Sequence, residues 1–358
     1  MDCIIKQQKD IDSKKWNEFV YANSMGWAYF LYEMIGVDRN SSYKNISFAI
    51  VDKDNNDEIL MIQQLHTYQG RSPKKAFLIK EKKLESRWGY VLKDNLPKKQ
   101  FNKVKSCFEQ YIDNYISSNK IKSFVSKLPP LSKANLENKD SINSLVFFNF
   151  RPSLTYTYII DLSKPDERML ADCEETTRQA IRKLDASEKY EIVESKGSKQ
   201  DCQTFIKLHK ETYTRTNAKT DIIADTYHYH MFNELIPKGI CRVFLLKDKE
   251  TLETIATVAI LIYNNTAYYW WGDSKNDKEI GVNKYLLFKV ICIIRESFGK
   301  TGFFETGGAY PFVRNGKYKG LNDFKKCFGT KLYPIWGGTY EMPSSKFKLT
   351  VKKLLQRG

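Results

Sequence analysis

Residues 302–329 read Gly302-Phe303-Phe304-Glu305-Thr306-Gly307-Gly308-Ala309-Tyr310-Pro311-Phe312-Val313-Arg314-Asn315-Gly316-Lys317-Tyr318-Lys319-Gly320-Leu321-Asn322-Asp323-Phe324-Lys325-Lys326-Cys327-Phe328-Gly329. Six of the chain's 18 glycines fall here. Glycine tolerates φ > 0 and close backbone approach, so this density predicts a shaped loop rather than the interior of a helix or strand. The apolar run Phe303 to Thr306 reads as a buried strand. Gly307 and Gly308 then lie just past its carboxyl end, where α/β sheets place ligands. From Ala309 to Lys326, Arg314, Lys317, Lys319, Lys325 and Lys326 stand against the single acid Asp323, with aromatics interleaved. That composition suits the wall of an anion-binding cleft, and equally a solvated basic loop anchored by its rings.

Upstream, Val282 to Ser297 has the apolar density of a buried helix. A helix joining two short buried strands implies a parallel crossover. Before it, Cys241 to Leu246 and Thr254 to Tyr263 read as a hairpin, and Asn264-Asn265 turns the chain into Ala267 to Trp271. Leu154 to Leu162 alternates as a strand, Glu167 to Leu184 reads as one helix, and Phe205 to Tyr213 and Asp225 to Ile236 as two more. The first half carries the same order more faintly. Trp16 to Tyr21, Trp27 to Ile35 and Phe101 to Ile116 have helical spacing, and Ile46 to Val51 with Ile59 to Leu65 flanks an Asp/Asn cluster as a hairpin. Both halves therefore predict an α/β (α+β) architecture, each a mixed sheet flanked by helices. The polar, proline-bearing segment after Leu128 sets the expected boundaries: a first domain at 1–128, a connection at 129–150 and a second domain at 151–358.

Composition bounds the function. The 358 residues carry 58 Lys+Arg against 42 Asp+Glu, a net charge of +16, and the mean hydropathy is −0.51. An 18-residue apolar run is absent, and the amino terminus lacks the pattern of a secretory signal, so a soluble, cytoplasmic protein is expected. Seven cysteines without C-x-x-C spacing read as reduced thiols. His228 and His230 diverge on a helix and read as two partly exposed residues rather than metal ligands. The charge favours phosphate-bearing partners, among them tRNA, nucleotide-sugars, coenzyme A and anionic membrane surfaces.

The strand ending in Gly307-Gly308, followed by Gly320-Leu321-Asn322-Asp323-Phe324-Lys325-Lys326-Cys327-Phe328-Gly329, resembles the carboxy-terminal signature of Fem-type peptidyltransferases, a FemAB-like branch of the GNAT acyltransferases. Glu175 to Lys183 is similar to that family's basic helix, and Leu208 to Arg215 to its T-x-x-R helix. The match runs over about residues 155–340. It departs from the pattern in the Glu305-Thr306 that precedes the Gly pair, and in lacking a long helical hairpin. The resemblance implies tandem GNAT-like domains with the working cleft in the second. It further implies transfer of an acyl or aminoacyl group to an amine of a cell-envelope or surface-polysaccharide precursor, small or lipid-linked. No permanently bound cofactor is implied. The donor is either aminoacyl-tRNA or an acyl thioester on CoA or acyl carrier protein; the Q/R-x-x-G-x-G/A pyrophosphate loop is not found. A non-catalytic RNA- or anion-binding protein using the same basic stretch is the rival reading, and a first domain serving only as scaffold is a third.

The chemistry needs an amine about 3–3.5 Å from an activated carbonyl, and positive charge for the oxyanion. Lys325 is the candidate for that charge, a role the resemblance also implies. Glu305 is the first candidate for a general base, its pKa raised by burial, and Asp273 the second. Arg215, Arg178 and Arg182 are candidates for phosphate binding, and Gly307, Gly308, Tyr310, Phe324 and Trp271 for lining the cleft. Adjacent strand residues point oppositely, so of Trp270 and Trp271 one is expected in the core and one in the cleft.

Overall fold

The computed structural model describes residues 1–35, 43–71, 80–137, 142–217, 224–275 and 279–342. The chain forms two compact units, the first holding Met1–Thr155 with the chain from Pro334 on, the second Tyr156–Tyr333.

The first unit runs β1 (Cys3–Gln7), α1 (Ser13–Ala22), α2 (Tyr32–Ile35), β2 (Lys44–Asn45), β3 (Phe48–Asp52), β4 (Glu58–Gln63), β5 (His66–Arg71), β6 (Lys80–Ser86), β7 (Tyr90–Leu92), α3 (Lys98–Asn119), β8 (Phe124–Lys127) and α4 (Lys133–Glu137). β1, β3, β4 and β7 make an antiparallel sheet in that order. β5 pairs antiparallel with β6, and β6 parallel with β8. In α3, Val104, Phe108, Ile112 and Ile116 recur at helical spacing and are buried in a core with Phe48 and Ile50. Each such side chain contributes about 1.5–3 kcal/mol. Lys120, in the left-handed region at φ 54°, ends the helix by donating its backbone N–H to the carbonyls of Ile116 and Ser117. The helix expected over Trp27 to Ile35 is instead a 3-10 turn at Ala28–Phe30 followed by the short α2.

β9 (Phe150–Asp161) leads into the second unit, which continues α5 (Asp166–Asp172), α6 (Glu175–Ala186), β10 (Tyr190–Glu194), α7 (Lys199–Arg215), α8 (Asp225–His230), β11 (Cys241–Asp248), β12 (Thr254–Tyr263), β13 (Thr266–Ser274), α9 (Val282–Ser297), β14 (Phe303–Ala309) and α10 (Gly316–Lys326). β15 (Lys331–Tyr340) returns to the first unit, where Gly337 to Thr339 pairs antiparallel with β8. The second unit's strands order β10-β11-β12-β13-β14-β9. All neighbours are antiparallel except β13 and β14, which the buried α9 joins as the parallel crossover the sequence predicts.

Four expectations are corrected. The boundary falls at Thr155 rather than within 129–150, because Leu131, Leu145 and Phe148 of the polar segment are buried, the last two in the first unit's core. For the same reason residues from Pro334 on leave the second unit, with Tyr340 buried among Phe124 and Phe150. The single helix over Glu167 to Leu184 breaks at Cys173-Glu174, both extended, where the Glu174 N–H donates to the Cys327 carbonyl at 2.9 Å. The glycine-rich stretch is not all loop: Gly307 and Gly308 lie in β14, and Gly316 and Gly320 in α10.

Candidate functional site

β13 and β14 pair only through Thr266–Phe303, Ala267–Phe304 and Tyr268–Glu305. Beyond that register no pairing joins them, although β13 continues to Ser274 and β14 to Ala309. A bulge in β14 causes the departure: Glu305 faces Ile159 and Gly307 faces Tyr158 on β9, which leaves Thr306 as an extra residue. The Thr306 hydroxyl donates to the Lys325 carbonyl at 3.3 Å, tying the bulge to α10. Asn322 adds a second tie, its Oδ1 accepting from the Tyr158 hydroxyl at 3.0 Å and from the Tyr310 N–H at 2.9 Å. Phe324 packs beside Tyr269 and Phe328. On α10, Lys325 reaches the Gly308 carbonyl of β14 and Asn322 the Tyr310 N–H just beyond it, while Lys317 to Leu321 are exposed.

Glu305 and Lys325 both belong to this bulge region and feel each other's charge. Glu305 is 1 % exposed; its Oε1 accepts from the Thr157 hydroxyl at 2.6 Å, and its Oε2 has no partner among the described residues. Burial pushes its pKa up to about 7, against the pull of the Thr157 hydrogen bond and the Lys325 charge. Lys325 is half-buried and donates from Nζ to the Gly308 carbonyl at 3.1 Å. Burial brings it down to about 8, Glu305 holding it from falling further. Gly307 has φ 94°, and a Cβ there would lie 3.1 Å from Lys325 Nζ, so a side chain at 307 would strain the backbone and displace the ammonium.

Asp273, Trp271 and Arg215 gather elsewhere, where α7 packs on the end of β13. His209 Nδ1 and Asp273 Oδ2 lie 3.2 Å apart and share a hydrogen bond, both residues fully buried. Thr212 binds Ser274 reciprocally, its hydroxyl donating to the Ser274 carbonyl and accepting the Ser274 N–H. Arg215 donates to the Ser274 carbonyl at 3.0 Å and to its hydroxyl at 3.3 Å. Burial raises Asp273, opposed by His209 and the Arg215 charge. The pairing with His209 holds α7 on the strand, and Asp273 Oδ1, like Glu305 Oε2, has no partner among the described residues.

The remaining candidates also move. Arg178 donates to the Ala171 and Cys173 carbonyls at the end of α5, and Arg182 is exposed on α6. Trp270 and Trp271 are both buried and stack at 4.1 Å and 16°. The bulge that matches Ala259 to Trp271 and Ile260 to Tyr269 leaves Trp270 extra and defeats the alternation the sequence predicts. His228 is fully buried, 4.8 Å ring to ring from His209, and burial lowers it to about 4.

His209, Thr157 and Asn322 are hydrogen-bond partners at these places that the sequence does not announce. For His209 a signal exists: Cys202, Phe205 and Ile206 precede it at helical spacing, which places it on the buried face of α7. Thr157 and Asn322 depend on which strand and helix meet, and the pattern of their own segments does not reveal that.

Residues 171–305 match the Acetyltransferase (GNAT) domain family. No curated protein matches the chain in sequence. The fold is similar to that of FemX, at 15% identity over 98% of this chain and 99% of that one, with a TM-score of 0.66. It is similar also to the C-terminal domain of a protein assigned as a lysylphosphatidylglycerol synthetase from Agrobacterium fabrum (12% identity, 96% and 95% covered, TM-score 0.55). A tandem GNAT protein from the clavulanic acid biosynthesis pathway shares it as well (8% identity, 95% and 98% covered, TM-score 0.54). Residues 171–305 thus match a GNAT acetyltransferase domain, and the chain as a whole has a fold similar to those of FemX and of a tandem GNAT protein.

Proposed function

We propose that the second unit transfers an acyl or aminoacyl group to an amine of a cell-envelope or surface-polysaccharide precursor, with Glu305 and Lys325 as its working pair. One observation carries this reading: a buried carboxyl with a free oxygen and a half-buried ammonium, shifted toward each other to about 7 and about 8, stand where a parallel strand pair separates. Two groups that change charge so near neutrality hold and release protons at little cost.

In the reaction, the acceptor nitrogen attacks the donor carbonyl. A C–N bond forms, the donor's C–O or C–S bond breaks, and the nitrogen proton leaves for the pair or the departing group. The Lys325 ammonium, fixed by the Gly308 carbonyl, offers positive charge to the tetrahedral oxyanion or to a substrate phosphate. Glu305 is enclosed, so its proton travels through an intermediary, and its own charge governs that of Lys325. Arg215 is held by Ser274 with part of its guanidinium outward, a geometry that suits a phosphate. The name of the lysylphosphatidylglycerol synthetase neighbour supports an acceptor of the cell envelope.

Native mass spectrometry of the protein from its own cells tests the reading. A bound amine-bearing precursor that gains the acyl mass when aminoacyl-tRNA or an acyl thioester is added supports it. Salt-sensitive RNA binding, with no acylated product from either donor, establishes the binding-protein alternative instead.

A further inference from the structure

The outward side of the Tyr310–Lys326 stretch is apolar and cationic at once. Phe312 is 85% exposed, Tyr318 54% and Leu321 39%. Arg314, Lys317 and Lys326 are exposed among them and make no ion pair among the described residues, whereas Lys319 is taken by Asp323 at 2.5 Å. Five basic residues against one acid give the stretch a net charge of +4. Protruding apolar groups of this size, ringed by free cations, are costly in water and mark an interaction surface.

We infer that this face docks on the headgroup zone of an anionic phospholipid bilayer. Phe312 and Leu321 have no polar atom to offer a partner, and they suit the boundary between headgroup and acyl chain. The three free cations complement anionic headgroups, each worth about 1 kcal/mol, or roughly a fivefold gain in partitioning. An RNA backbone would call for a longer cationic track and for stacking rings in place of Leu321. No helix among the described residues is long and apolar enough to cross a membrane, so the contact is peripheral. Lys325 lies one helical turn from Leu321 on α10 and donates to the Gly308 carbonyl of β14, which brings the candidate site beside that surface.

Flotation of the full chain with vesicles tests this without reference to turnover, so it stands or falls apart from the acyl-transfer reading. Vesicles of phosphatidylcholine with phosphatidylglycerol should carry the protein, and vesicles of phosphatidylcholine alone should not. Phe312→Ser should weaken partitioning about tenfold or more, and Arg314→Ser with Lys317→Ser about twentyfold. Both substitutions are on exposed positions, and circular dichroism verifies the fold. Equal flotation with neutral vesicles, failure to float with anionic ones, or variants that float like the native chain would each overturn the inference. So would a short single-stranded RNA that competes with the vesicles and loses affinity for the same variants, since it would assign the face to nucleic acid.

Discussion

Glu305→Gln should make the protein more stable at alkaline pH and less active. Glu305 titrates at about 7 when folded against the ordinary 4.5. Between those values the folded protein keeps a proton that the unfolded chain has released. Burial therefore costs nothing below about pH 4.5, and the penalty grows as pH rises, reaching its full size above about pH 7. At about 1.4 kcal/mol per pH unit, the interval comes to about 3 kcal/mol. Glutamine keeps the shape and the acceptor for Thr157, and it carries no charge to desolvate. Lys325 loses its counter-charge in the variant, which offsets part of the gain, so about 2–3 kcal/mol is expected at about pH 8. Urea unfolding midpoints of both proteins, measured from about pH 5 to about pH 9, give the comparison. The two curves should nearly meet at about pH 5, separate as pH rises to about 7 and keep a constant gap above it. A constant gap over the whole range would show that Glu305 ionises as an exposed carboxylate does and would refute the reasoning from burial.

Three further outcomes follow from the same geometry. Gly307→Ala should cost about 1–3 kcal/mol, because alanine resists φ 94°, and it should slow transfer more than it destabilises, because its Cβ meets Lys325 Nζ; thermal melts beside turnover check this, and equal turnover would contradict it. His209→Ala should destabilise by about 3 kcal/mol, since it leaves the buried Asp273 carboxyl without its partner, and an unchanged melting temperature would show that the pair carries no energy. Arg215→Lys, which keeps the charge but loses the fork that grips Ser274, should raise KM several-fold with little change in kcat, and steady-state kinetics would show it.

Much of the architecture is legible in the sequence because it depends on local periodicity. The β3–β4 and β11–β12 hairpins, α3 and α9 declare themselves through apolar spacing, and the short buried strands around α9 announce the parallel crossover. The sequence places Glu305, Gly307 and Gly308 on one strand and Lys325 in the basic stretch after it, and α10 brings that lysine back to the Gly308 carbonyl. What stays hidden depends on register and on contacts distant in sequence. One extra residue at Trp270 turns two adjacent rings to the same side, a change no alternation pattern encodes. The break at Cys173 comes from a carbonyl on Cys327, more than a hundred residues away. Asp273 looks like a free strand-end carboxylate until α7 brings His209 against it. Gly316 and Gly320 argue locally against a helix, yet α10 forms because Asn322 and Lys325 are held against β14.

The central claim is that Lys325 works on the acyl group beside Glu305. Mass-spectrometric detection of the acylated amine, with the native protein and with Lys325→Met under the same donor and acceptor, tests it most directly. Loss of about 100-fold or more in the rate, with the unfolding midpoint held or raised, is the predicted result. A methionine variant that forms product at the native rate would contradict it.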